Sequence, residues 1–372
     1  MKLDEELLGS FKSLKSFKNG ERINNIDFHY EGKLLVVGSD SNIDIYDCHT
    51  AKLCMTTPVA KYGCASVKTV AASNCVLHTS ARLNHDVRCL QMDTNSYLRY
   101  FSGHTEIVYD VVPSKVCDTF ITVSLDNTMK FWDLRNPNYT GEINAYSYPR
   151  CTSLSSTGLV FSSVSGPDTL KMFDLRKYQQ GPFSVVNFKT HANDESAAST
   201  NNYNKNEPIT YCLASESSLN DKYIYVAVAN DSNYIIHTID SYKGETISTK
   251  VFPLPTLLSF NDLRRIPPSK DKKFPILLSK IGFTFSADSN YILGFSPNDT
   301  LSGILNAWNT KTGTDITLKN PIIYKHKIAQ HERNERWVSC PSACNVKFNP
   351  MYMMMATSVD DVLNLWQPCT DQ

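Results

Sequence analysis

A unit of roughly forty residues recurs along this chain, and no other feature narrows the possible fold as far. The clearest copy opens with Gly103-His104 and continues through Ile107 to Val111, then Thr119 to Ser124. It ends on Asp126-Asn127-Thr128-Met129-Lys130-Phe131-Trp132-Asp133. It holds three β-rich runs separated by turn residues, begins with Gly-His and closes with Trp-Asp. Weaker copies close at Tyr46-Asp47, Phe173-Asp174 and Ile239-Asp240, and the last two end at Trp308-Asn309 and Trp366-Gln367. Asp47 and Asp133 stand 86 residues apart, which is two units of 43, and Asp174 follows after 41.

That spacing, with a Gly-His opening and a Trp-Asp close, is the signature of WD repeats, in which each unit folds as one four-stranded blade. The 86-residue gap conceals a degenerate blade built from Val67–Val70, Val76–Thr79 and Val87–Leu90. Later spacings of 66 and 69 residues are lengthened by two insertions. Residues 191–207 are rich in Asn, Ser and Ala, and residues 253–275 carry five prolines and the basic run Arg264 to Lys273. The count is seven units within a single domain spanning 1–372. An open array would leave bare strand edges at both ends, which ring closure removes. The last unit has too little chain after Trp366 for an outer strand, whereas Ser10 to Phe17 precedes the first blade without a blade of its own. The expected fold is therefore all-β, a seven-bladed WD40 β-propeller closed by an N-terminal strand, with Met1 to Glu5 dispensable.

Composition excludes several function classes. Lys+Arg and Asp+Glu both number 37, so the chain lacks the cationic excess that non-specific nucleic-acid or acidic-membrane binding needs. No apolar run approaches the length of a membrane-spanning helix. The acidic start Asp4-Glu5-Glu6 does not read as a secretory signal, so a cytosolic or nuclear location is expected. The 11 cysteines are scattered without a Cys-x-x-Cys spacing and read as small core residues of a reducing compartment.

His104, Ser124 and Asp126 fall close enough in one unit to suggest nucleophilic catalysis, which requires an exposed Ser124. The opposing reading is a buried relay in which the Trp132 indole, a Ser124 or Thr122 hydroxyl, the His104 ring and Asp126 satisfy one another. We favour the relay, and no Gly-x-Ser-x-Gly elbow accompanies it. His326, His331, Cys340 and Cys344 match no usual zinc spacing, and no glycine-rich phosphate loop occurs. No metal or cofactor is expected. The basic run reads as a solvated loop. Asp133-Leu134-Arg135 and Asp174-Leu175-Arg176 leave two readings open, an Asp–Arg pair at the blade edge or a docking motif for a ligase adaptor.

The strings Lys61-Tyr62-Gly63-Cys64, Tyr97-Leu98-Arg99-Tyr100-Phe101-Ser102-Gly103-His104, Trp132-Asp133-Leu134-Arg135 and Gly158-Leu159-Val160-Phe161 resemble the Swd-two/WD-repeat-eighty-two family in content and order. A WD repeat requires only the Gly-His of the second string, which makes its preceding six residues the most specific part. The resemblance implies a non-catalytic nuclear scaffold of COMPASS-type histone H3 lysine methyltransferase, of mRNA cleavage and polyadenylation factor, or of both. It implies as partners the SET-domain methyltransferase subunit, cleavage/polyadenylation factor and its associated phosphatase subunits, and the phosphorylated C-terminal repeat of RNA polymerase II. It implies no membrane and no direct sequence-specific nucleic acid. The alternative, raised by the two Asp-Leu-Arg copies, is a substrate receptor of a cullin-RING ubiquitin ligase. The loops that open on one propeller face carry Tyr62, Arg82, Leu125, Tyr148, Arg150, Arg333, Arg336 and Trp337, types that dominate interface hot spots, and these are the expected partner-binding residues.

Overall fold

Turns of a few residues join the β-rich runs of each repeat, so the runs pair as antiparallel hairpins. The computed structural model describes residues 3–71, 73–144, 149–165, 169–187, 211–229, 233–253, 282–297, 302–316, 323–325, 344–359 and 361–369. They form seven antiparallel sheets. From axis to rim, blade one comprises Ile23–Phe28, Leu34–Ser39, Asn42–Asp47 and Lys52–Pro58, and blade two comprises Val67–Val70, Cys75–Thr79, Val87–Gln91 and Ser96–Phe101. Blade three is Val108–Pro113, Thr119–Ser124, Thr128–Asp133 and Gly141–Asn144, and blade four is Pro149–Leu154, Val160–Ser165, Thr169–Asp174 and Ser184–Asn187. Blade five is Tyr211–Ser217, Tyr223–Ala229, Asn233–Asp240 and Glu245–Pro253. Blade six has Phe283–Phe285, Tyr291–Pro297 and Ser302–Asn309, with Asp315–Ile316 and Ile323–Lys325 both pairing along its third strand.

Blade seven takes Cys344–Phe348, Met355–Val359 and Val362–Pro368 from the end of the chain and its outer strand, Phe11–Lys18, from the beginning. Phe11 pairs with Pro368 and Lys18 with Val362, with one irregularity between Ser13 and Lys15. Apolar clusters fill the seams between consecutive blades. Val36, Ile45, Val76 and Leu90 join blades one and two, and Ile26, Leu35, Ala356 and Leu363 join blades one and seven. At the seam of blades five and six the Tyr225 ring lies 5.2 Å from that of Phe285. The ring is thus a chain of seven contacts closed on itself, and among the described residues no helix is long and apolar enough to cross a membrane.

The Asp or Asn that closes a repeat has a local physical cause. Asp47 Oδ1 accepts from the backbone N–H of His49 and Thr50, Asp240 Oδ1 from Tyr242 and Lys243, and Asn309 Oδ1 from Lys311 and Thr312. Asp133 and Asp174 accept from the N–H two residues on. Each side chain imitates a backbone turn and sends the chain back as the outer strand.

The insertion 191–207, residues 254–275 of the second insertion and the whole basic run lie outside the described residues, while Pro253 ends the outer strand of blade five. The extreme N-terminus is not dispensable ballast. Asp4 caps the single turn Glu5–Gly9 by accepting from Leu7 N–H at 2.8 Å, and Leu3 donates its N–H to Asp288. Leu3 and Leu8 are buried with Phe11, Phe348 and Trp366, so this turn seals the seam of blades six and seven.

Deleting residues 1–18 should expose the edge of Val362–Pro368 and give a chain that aggregates and melts well below the full protein. Leu8→Ala, which empties a fully buried position, should cost about 2–5 kcal/mol in denaturant unfolding. A truncated chain that stays monomeric with an unchanged Tm would show that the ring does not need this strand.

Candidate functional site

The polar cluster of blade three is assembled from four places. His104 precedes the inner strand, Thr122 lies on the second strand, Asp126 on the following turn and Trp132 on the third strand. Trp132 Nε1 donates to Thr122 Oγ1 at 2.8 Å, and His104 Nε2 lies 2.7 Å from the same hydroxyl. His104 Nδ1 lies 2.8 Å from Asp126 Oδ2, and Thr128 donates to Asp126 Oδ1 from both its N–H and its hydroxyl. A ring proton on Nδ1 points at Asp126, Nε2 faces the Thr122 hydroxyl, and that oxygen accepts from the indole. Burial works to raise the Asp126 carboxyl, but its bonds from His104 and Thr128 outweigh burial and hold it well below the usual carboxylate range.

Of the two hydroxyls the sequence offered, Thr122 takes the middle place and Ser124 does not. Ser124 donates to the Glu106 carbonyl at 3.0 Å and accepts from Asp126 N–H, so it braces the turn that presents the carboxylate. The reason is register, because the two residues share one face of their strand and differ only in position along it. Thr122 pairs with Lys130 two residues ahead of Trp132, whereas Ser124 pairs with Val108 at the strand end. With no exposed surface, Ser124 cannot meet a substrate, which ends its reading as a nucleophile. Cys344 begins the inner strand of blade seven, and its three proposed zinc companions lie outside the described residues.

The expected partner-binding residues divide in the same way. Tyr62 is held in its own loop: its carbonyl accepts from Ser80, Ala81 and Arg82, and the Arg88 guanidinium lies 3.9 Å from its ring centroid. Arg82 is exposed and donates to the Ala60 carbonyl at 2.8 Å. Leu125 packs partly buried against the seam of blades three and four. Arg150 occupies the irregularity in the inner strand of blade four, and its side chain is outside what the structure describes, as are Tyr148, Arg333, Arg336 and Trp337 altogether. Arg135 and Arg176 each form a two-point pair with the Asp two residues before, at 2.7–2.9 and 2.9–3.1 Å. Both arginines remain exposed at the blade edge, and the pair is the first of the two readings the sequence left open.

Arg88 went unrecognised in the sequence. It is 1% exposed, lies between the Tyr62 and Tyr100 rings, and donates to Asn84 at 2.9 Å. It also explains part of the Tyr97 to His104 string. The Tyr97 hydroxyl meets His78 Nε2, Tyr100 covers Arg88, Arg99 donates to the Arg135 carbonyl across to blade three, and Phe101 packs edge-on to Phe120 and Trp132.

An axial cavity of about 420 Å³ runs between the inner strands. It is lined by Asp27, Lys68, Asp110, Lys115, Glu216 and Lys347, three charges of each sign. Lys347 pairs with Glu216 at 3.0 Å. Burial opposes ionisation of Glu216, yet Lys347 and Lys68 keep its carboxyl below the usual range. Lys68 is likewise opposed by burial but lifted above its ordinary value by Asp27, Asp110 and Glu216.

Seven antiparallel blades, a buried Trp–Thr–His–Asp relay and turn-forming Asp residues define a WD-repeat β-propeller. The family model "WD domain, G-beta repeat" matches residues 11–47 and 95–133, the clasp with most of blade one and the approach to and body of blade three. Over most of its length the chain is similar to proteins that carry the names of the family it resembles. It is 29% identical over 374 residues to WD repeat-containing protein 82 of Drosophila melanogaster, covering 100% of this chain and 99% of that protein. It is 31% identical over 253 residues to Set1 complex component swd2 of Schizosaccharomyces pombe, covering 65% and 64%. It is also 26% identical over 363 residues to COMPASS component SWD2 of Saccharomyces cerevisiae, covering 95% and 94%.

Trp132→Ala should strand the Thr122, His104 and Asp126 groups and vacate a large buried volume, a combined cost of about 3–5 kcal/mol or more that shows as lost soluble protein. A soluble variant with an ordinary melting curve would remove the relay from the stability of blade three. Asp126 also fixes an acid response. Its carboxyl is depressed in the folded state, so its stabilisation is full above the unfolded value of about 3.9 and is lost as pH falls toward the folded one. Between pH 6 and 3 the Tm of Asp126→Asn should fall less steeply than that of the parent, and parallel curves would contradict the assignment.

Proposed function

We propose that this chain is a non-catalytic scaffold subunit of a Set1/COMPASS-type histone H3 lysine methyltransferase and acts in the nucleus. The observation that carries the reading is similarity to proteins named as a Set1 complex component, over 65% of the chain, and as a COMPASS component, over 95% of it. The geometry supports it in a specific way. The one constellation that invited a catalytic reading is a closed set of structural bonds centred on Thr122 with Ser124 buried beside it, and propeller loops of this kind can receive segments of other proteins. The expected partner is a segment of the SET-domain methyltransferase subunit. By resemblance the finer role extends to cleavage and polyadenylation factor with its associated phosphatase subunits, and to coupling with the phosphorylated repeat of RNA polymerase II.

Affinity purification of the tagged full chain from nuclear extract is the direct test. Recovery of the SET-domain subunit, with reduced bulk histone H3 lysine methylation when the chain is depleted, is the expected result. Recovery of cleavage-factor and phosphatase subunits would support the wider role. A purified assembly without any methyltransferase subunit would overturn the central claim, and one built around a cullin and its propeller adaptor would replace it with the ligase reading.

A further inference from the structure

In a propeller the turns that join the first strand to the second all open on one face. In this chain those turns carry an unusual set of tips. Tyr30 is on blade one, Val116 on blade three, Leu159 on blade four, Leu219 on blade five and Met351 on blade seven, and their exposures run from 39% to 61%. On the opposite loops, the ones whose residue types drew attention in the sequence, Leu83 alone among the described large apolar residues is so exposed. Scattered single apolar residues mean little, but a set with one member on each of five blades surrounds a common axis.

The axial cavity reaches this face. Its lining includes Tyr30, Lys115, Leu219 and Pro350, all of which follow the ends of their inner strands. The tips are also held firmly. Ser114 Oγ accepts from Val116 and Cys117, Ser218 Oγ from Tyr223, and Asn349 Oδ1 from Met351 and Tyr352, so the side chains are displayed on braced turns. Bracing of this kind lowers the backbone-ordering cost of binding.

The charges select the occupant. Deep in the cavity Lys347 has Glu216, and Lys68 is surrounded by Asp27, Asp110 and Glu216. At the mouth, Lys115 is exposed, lines the cavity and has no carboxylate within ion-pairing distance among the described residues. An unpaired ammonium inside an apolar rim calls for an anion that arrives with apolar neighbours. We propose that this face is a docking surface for a peptide segment of a partner protein that sets one Asp or Glu carboxylate against Lys115 and lays flanking apolar side chains on Tyr30, Leu219 and the neighbouring tips. The inference rests on the reading of the chain as a docking subunit and names the chemistry of the segment that docks.

Selection of a random library of displayed peptides, about twelve residues long, against the full chain tests it without reference to any particular complex. Enriched peptides should share an acidic residue flanked by large apolar ones. Measured by fluorescence polarisation, Lys115→Glu should weaken them about tenfold or more and Leu219→Ser should weaken them too, whereas Arg82→Glu on the opposite face should leave them within about twofold. Replacing the peptide's acidic residue by Lys should restore affinity for Lys115→Glu. Absence of enrichment, enriched peptides without an acidic residue, peptides indifferent to Lys115→Glu in a variant of unchanged Tm, or their displacement by single-stranded RNA would each overturn the proposal. Failure here with the methyltransferase still recovered would leave the scaffold reading intact and move its docking site elsewhere.

Discussion

A strand edge that meets no partner is a template for aggregation, and the pairing of Phe11–Lys18 with Val362–Pro368 decides whether this chain has a ring at all. Residues some 350 positions apart are joined there, so the contact is among the least local in the fold and imposes a loop-closure cost. That cost grows only slowly with length, while closure creates two apolar seams at once. One unites Leu8, Phe11 and Trp366 with Leu293 and Leu305 of blade six, and the other unites Leu363 and Leu365 with Ile23 and Ile26 of blade one. Each seam is worth several fully buried side chains at about 1.5–3 kcal/mol apiece, ample against an entropy term that rises by about 0.6 kcal/mol per doubling of loop length. Once closed, every blade has two neighbours, and the strength of any single repeat matters less.

This tolerance explains why only one repeat in the sequence is close to ideal. Blade three binds its strands with the Trp132, Thr122, His104 and Asp126 set, and blade seven repeats the indole-to-hydroxyl bond from Trp366 to Thr357 at 2.9 Å. Blade two has neither a closing Trp nor a Gly-His. Its solution is His78 bonded to Tyr97 and Arg88 held between two tyrosines. Burial and the Arg88 charge push the His78 ring down to about 3, so it stays neutral and the buried guanidinium beside it faces no second cation.

What the sequence made legible follows from what burial demands locally. The closing aromatic-Asp pairs could be found because one residue is buried in a seam and the next makes a turn within three residues, as Tyr46 and Asp47 do. The clasp could be placed because an unpaired edge has to be covered. The outer strand Lys52–Pro58 was not separable from a loop, since most of its residues face solvent and it carries no alternation strong enough to read. The choice of Thr122 over Ser124 needed the strand register, which composition does not contain. Arg88 was hidden for another reason: its aromatic partners lie 26 residues before it and 12 after, and nothing local distinguishes it from an exposed arginine. The Leu3 and Leu8 contacts were invisible because a single helical turn carries no periodicity.

The same logic limits where a partner can bind. The rim offers backbone edges on every blade, but the clasp sets Lys12, Lys15 and Lys18 along the outermost strand of blade seven, a pattern that discourages pairing with another chain. Hydrogen bonding within the blades is committed, and the side chains that could catch an incoming segment through D-L-R turns are already matched to Asp133 and Asp174. Binding energy therefore has to come from loop tips and from whatever the axis leaves unpaired. The Asp and Ser residues that build the turns serve this end as much as they serve folding, because a braced turn fixes the apolar or cationic group it carries. In this propeller the polar groups are consumed in holding the strands, and the residues left over at the tips are the ones that remain for recognition.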